Sequence, residues 1–86
     1  MTKYRILTEN LNRDKVADIV ARHFAGFTII AGDGHWKGGS EKSVTIEVIA
    51  ERDVLETIRF IAQEIKTLNK QEAVIIELTA VDLLTV

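Results

Sequence analysis

Between Ser43 and Ile49 the chain reads S-V-T-I-E-V-I, with Val44, Ile46 and Val48 on one side and Ser43, Thr45 and Glu47 on the other. A period of two is that of a strand with one wet face. Immediately afterwards the period changes. From Asp53 to about Leu68 the apolar residues Leu55, Ile58, Ile61, Ile65 and Leu68 recur at helical spacing, while Arg59, Gln63, Glu64 and Lys66 occupy the opposite side. Asp53 followed by Glu56 offers an acidic variant of the capping box, and Asn69 a terminator. A strand and a helix that each bury only one side must pack on one another.

The same switch occurs in the first half. Lys3 to Glu9 predicts a strand with Tyr4 and Ile6 on one face and Arg5 and Leu7 on the other. Asn10 or Asn12 can cap a helix from Arg13 to Phe24, carried by Val16, Ile19, Val20 and Phe24, with Gly26 as its stop. Phe27 to Ala31 predicts a second strand, Ala73 to Thr79 a fourth, and Val81 to Val86 an extension of the fourth or a short fifth. The order strand, helix, strand, strand, helix, strand predicts an α+β domain of the split βαβ, ferredoxin-like arrangement, with both helices on one face of an antiparallel sheet. Residues 1–86 are expected to form one such domain.

Leu7, Ile30, Ile49 and Ile75 then fall on the face opposite the helices, which should be solvated. Aliphatics there predict that a neighbouring subunit covers it. A domain of this size buries only about 60 to 65% of its unfolded surface, so assembly would also add stability.

Composition narrows the function classes. There is no cysteine, which removes disulfides, thiolate nucleophiles and cysteine metal sites. A net charge of −2 with scattered basic residues argues against a nucleic-acid binder. No apolar run suits a leader peptide or a membrane span, so a cytoplasmic protein without a membrane partner is expected.

Chemistry concentrates in G-D-G-H-W-K-G-G-S-E-K-S, residues 32 to 43, which holds four of the five glycines, the single tryptophan and one of two histidines. Gly32 and Gly34 give only G-x-G between two strands, so neither dinucleotide fingerprint nor Walker loop is present. Asp33, His35 and Glu41 are ligand types at a spacing that matches no known metal arrangement, and no metal or cofactor is expected. His23 is expected to be a partly buried packing residue. One reading of the segment is a flexible hairpin whose Trp36 folds back over the core edge. The other is a loop shaped to approach a ligand: Trp36 supplies an aromatic face, Lys37 a cation and Glu41 an anion, a set suited to an amphipathic molecule bearing positive charge.

Three short stretches, Gly34-His35-Trp36-Lys37, Glu41-Lys42-Ser43-Val44 and Gln71-Glu72-Ala73-Val74, resemble a pattern in phage-encoded S-adenosylmethionine-degrading enzymes. Those enzymes show Gly-x-Tyr followed by a basic residue, a Glu just before an apolar strand, and a Gln with a following acid before the last strand. Uncharacterised bacterial proteins carry Trp at the aromatic position. The similarity spans Phe27 to Leu78. It implies a fold like that of the trimeric PII-like signalling proteins, a homotrimer, and a cleft between subunits for S-adenosylmethionine or a related adenosine metabolite.

In the lyases the substrate's own carboxylate attacks its carbon chain, releasing methylthioadenosine and homoserine lactone. By position, the resemblance implies Glu41 as the acid near the sulfonium and as the catalytic candidate. It further implies Trp36 where the enzymes have tyrosine, Gln71 at the polar end of the ligand, and Gly34 and Lys37 beside them. The segment between Trp36 and Glu41 is shorter than in the enzymes, and indole has no phenolic hydroxyl. Binding is therefore expected to survive these departures better than cleavage. A third reading is a regulatory interaction module that inserts the Gly/Trp loop into a partner protein, with Trp36 as anchor. In the expected topology the third and fourth strands begin at opposite ends of the sheet, about 20 Å apart. Glu41 and Gln71 of one chain could then share a ligand only across a subunit boundary.

Overall fold

The alternation that starts at Val44 fixes the centre of the molecule. In a computed structural model describing residues 1–86, β3 (Gly39–Ala50) hides Val44, Ile46 and Val48 under the helices. Its neighbours are β1 (Thr2–Glu9) on one side and β2 (Thr28–Trp36) on the other, and β4 (Ile75–Ala80) pairs with the far edge of β1. Every pairing is antiparallel, in the order β2-β3-β1-β4. With α1 (Arg13–Ala21) and α2 (Leu55–Asn69), the chain order is βαββαβ. The fold is ferredoxin-like.

One core joins the layers. Tyr4 and Ile6 from β1 meet Val16, Ile19 and Val20 from α1 and Ile58, Ile61, Ala62 and Ile65 from α2, all at or below 6% exposure. Each fully buried isoleucine contributes about 1.5–3 kcal/mol of hydrophobic stabilisation. Tyr4 is useful at its polar end as well, since its hydroxyl accepts the Val54 N–H at 3.2 Å in front of α2.

Several element ends differ from the sequence expectations. Helix α1 stops at Ala21 rather than Phe24, with His23 and Phe24 N–H groups both turned onto the Val20 carbonyl. Phe24 still packs against the core, which is why it extends the apolar period without being helical. Gly26 is not left-handed and does not act as the stop. At the start of α1, Asn12 sits at the cap position in a left-handed conformation, but its side chain caps nothing there. Asp53 Oδ1 accepts the Leu55 N–H at 2.9 Å, whereas Glu56 pairs with Arg59 and does not complete a box. Lys70, at φ 54°, closes α2. Residues 81–86 form neither a fifth strand nor an extension of β4: after the Val81 N–H bonds to the Met1 carbonyl, the tail makes no ladder.

The largest difference is the glycine segment. It is not a loop but the outer half of a β2–β3 hairpin paired from Thr28↔Glu47 to Trp36↔Gly39. Only Lys37 and Gly38 turn, at φ 49° and 78°, the two positive values of a type I′ turn. Glycine disfavours strands on average, but the hydrogen-bonded partner strand overrides that preference here.

On the face away from the helices, Ile30, Ile49 and Ile75 are 46%, 43% and 53% exposed, with Leu7 half-buried among them. Arg5 lies across the same face, 2.7 Å from Glu47 and 3.5 Å from Glu77.

Candidate functional site

Strand β1 ends at Glu9, opposite Ser43. The hairpin continues past that point through Gly34↔Glu41 to its turn, so its outer half overhangs the end of β1. Strand β4 is also antiparallel to β1 and enters at Ile75 opposite Leu7. The segment Lys70–Ala73 that leads into it therefore lies at the same end. A cavity of about 580 Å³ opens between the hairpin overhang and this α2–β4 turn, within the range of small-molecule sites.

All five residues expected at a site, Gly34, Trp36, Lys37, Glu41 and Gln71, line this one cavity within a single chain. The expectation that Glu41 and Gln71 are separated by a sheet length is overturned. Two strands antiparallel to the same neighbour are parallel to each other, so β3 and β4 both begin at the end where β1 finishes.

Lys37 spans the top of the gap. Its Nζ lies 3.1 Å from Glu72 Oε2 and 5.9 Å from the centre of the Trp36 ring, so the indole already carries a cation near it. Both partners of the ion pair are well exposed, which limits it to about 0–1 kcal/mol. Trp36 itself is 52% exposed and does not seal the core edge. A Cβ on Gly34 would stand 3.4 Å from Ser43 Cβ and 3.5 Å from Glu41 Cγ. The missing side chain leaves room over the sheet beside the Glu41 carboxylate.

Glu9 was not among the residues singled out from the sequence. Its carboxyl is within hydrogen-bonding reach of Glu41, and that contact, with some desolvation and the repulsion between the two groups, raises its pKa above the ordinary 4.5. Its position was signalled only weakly, by its parity with Leu7 at the last residue of β1. Of the four acids that line the cavity, Asp33 and Glu72 are paired with Lys42 and Lys37, which leaves Glu9 and Glu41 near the aromatic ring of Trp36, a combination that attracts organic cations.

Gln71 is held by a set of hydrogen bonds also absent from the sequence reading. Its Oε1 accepts from Thr8 Oγ1 and, at 3.0 Å, from Asn69 Nδ2, while its Nε2 donates to the Ala73 carbonyl at 3.3 Å. Asn12 Nδ2 in turn donates to Asn69 Oδ1 at 2.9 Å. Thr8 and Asn69 are buried, and no buried side-chain polar atom is left without a partner.

Asp33 is engaged by Lys42 at 2.9 Å, and no three His, Asp or Glu side chains come together as a metal-holding group. His23 is exposed rather than partly buried, edge-on to Phe60 with ring centres 5.8 Å apart. That pair lies with the helices, beside a second hollow of about 490 Å³ whose walls include Phe60 and the Arg22–Glu64 ion pair. No helix is long and apolar enough to cross a membrane.

No family model matches the chain, and no curated protein matches its sequence. Solved structures do match. A phage S-adenosylmethionine lyase in its apo state is similar over 91% of this chain and 78% of its own, with 26% identity and a TM-score of 0.65. CPII, a nitrogen regulatory PII-like protein from Thiomonas intermedia K12 bound to ADP, AMP and bicarbonate, matches over 91% and 86%, with 15% identity and a TM-score of 0.64. The chain has the PII-like form of the ferredoxin-like fold. The resemblance read from three short sequence motifs and the likeness of the folded backbone lead to the same two groups of proteins.

Proposed function

We propose that this protein binds S-adenosylmethionine, or a related adenosine metabolite, in the cavity between the β2–β3 hairpin and the α2–β4 turn. The observation that carries the reading is the convergence of Glu41, Trp36, Lys37, Gly34 and Gln71 on one cavity. Glu41 faces the sulfonium with Glu9 beside it, Trp36 supplies an aromatic surface, and Gln71 takes the polar end of the ligand. A carboxylate and an aromatic face both favour a sulfonium over the uncharged thioether that remains after its loss. Copies associate as a cytoplasmic homotrimer through the sheet face bearing Ile30, Ile49 and Ile75, whose exposure supports a covered surface. The ligand site then lies at the edge of that interface rather than depending on it for Glu41 and Gln71 to meet.

Cleavage is the second reading, favoured by the 26% identity to a phage lyase. In that reaction the ligand's carboxylate oxygen bonds to its own γ-carbon as the carbon–sulfur bond breaks. The electron pair leaves with sulfur, giving methylthioadenosine and homoserine lactone. No proton and no water enter the balance, so the protein has only to fold the ligand back on itself and screen its charges. Glu41 is the residue to which catalysis is assigned under this reading.

A thermal-shift titration with S-adenosylmethionine tests binding, since a ligand at 100 times its dissociation constant adds about 2.7 kcal/mol of stability. An unchanged melting curve across adenosine compounds would remove the proposal. Chromatography of the same mixtures for methylthioadenosine separates a binder from a lyase.

A further inference from the structure

The orientation of the Gln71 amide follows from its neighbours. A backbone carbonyl can only accept, so the contact with Ala73 O makes the group facing it Nε2. The oxygen then faces Thr8 and Asn69, and Asn69 must present its own nitrogen. That turns Asn69 Oδ1 toward Asn12, which must present nitrogen as well. Each amide is set by the next, from the α2–β4 turn to the start of α1. With two donors on it, the Gln71 oxygen has no remaining lone pair to offer. One Nε2 hydrogen is the hydrogen-bonding capacity left to a residue that lines the cavity.

We propose that Thr8, Asn69 and Asn12 are positioning residues that hold Gln71 as a donor toward the cavity, so that the ligand presents a carboxylate at this end of the site. A carboxylate is favoured over a neutral acceptor because Lys70, on one side of Gln71, lines the same cavity with a positive charge, while Glu72, on the other side, is paired with Lys37. The inference rests on the binding reading above and adds to it the polarity of the ligand. It also ties the site to α1, because the far end of the relay is the residue preceding the first turn of that helix.

The test compares two ligands that share adenosine and sulfonium, S-adenosylmethionine and its decarboxylated form, by calorimetry on the full chain. Thr8→Val and Asn69→Asp remove donors to the Gln71 oxygen. Each is expected to weaken S-adenosylmethionine by about three- to tenfold and to leave the decarboxylated ligand within about twofold. Thr8→Ser, which keeps the hydroxyl, is expected to restore the wild-type ratio. Equal losses for both ligands, or none, with the variants folded by melting temperature, would overturn the relay and leave the binding site standing. A wild-type protein that binds neither ligand overturns the site itself, and the relay with it.

Discussion

The Glu9 carboxyl, on the last residue of β1, faces the Glu41 carboxyl on the overhanging part of β3, and this proximity favours the protonated form of Glu9. The Glu9 pKa is raised in the folded chain, so the folded state holds more proton than the unfolded state in the window just above 4.5. Stability attributable to this pair is present below 4.5 and is lost as pH rises through the raised value. Glu9→Gln should therefore melt slightly above wild type at neutral pH, and the difference should vanish in acid. The gain is small because solvent screens both groups. A melting-temperature series against pH checks both sign and window. Binding of a cation runs the other way: it should tighten as Glu9 deprotonates, and Glu9→Gln should flatten that pH dependence.

Trp36 is half exposed and belongs to no core cluster, so Trp36→Ala should leave the melting temperature within a few degrees of wild type. Its effect should appear in binding, with the loss of about 0.5–2 kcal/mol expected when a cation loses an aromatic face. Glu41→Gln should weaken a sulfonium ligand more than a neutral thioether of the same size. Titration of each variant with both ligands separates charge recognition from simple loss of contact area.

Tyr4 is the only tyrosine, and its hydroxyl is committed to the Val54 N–H inside the core. It cannot stand in for the phenol of the lyases. Tyr4→Phe should cost about 1–3 kcal/mol by leaving that N–H without a partner. Urea unfolding measures the loss, and ligand affinity of the folded variant should be unchanged.

Light scattering tests the open sheet face. Wild type should scatter as a trimer, and Ile49→Glu or Ile75→Glu should yield monomers, because a charge carried into an apolar interface is left unpaired. Since Glu41 and Gln71 line one cavity within a chain, such monomers should retain part of the ligand affinity. Wild type that stays monomeric at high concentration would refute the assembly.

The sequence by itself determined the elements and their packed sides. Ser43 to Ile49 alternates with period two, and Leu55 to Leu68 repeats at helical spacing, because burial of one face imposes these periods locally. It also singled out Trp36, Lys37 and Glu41, which line the cavity, since a tryptophan, a cation and an acid among glycines have no use in a core. Local pattern could not tell that the glycines at 32 and 34 are strand residues. Their conformation is set by hydrogen bonds to Ser43 and its neighbours on β3, not by their own preference. Nor could it tell that Glu9 meets Glu41, that Thr8 and Asn69 hold Gln71, or that Glu41 and Gln71 share an end of the sheet. Those relationships depend on strand direction and register, which arise only when β1 takes its place between β3 and β4 and hydrogen bonds to both.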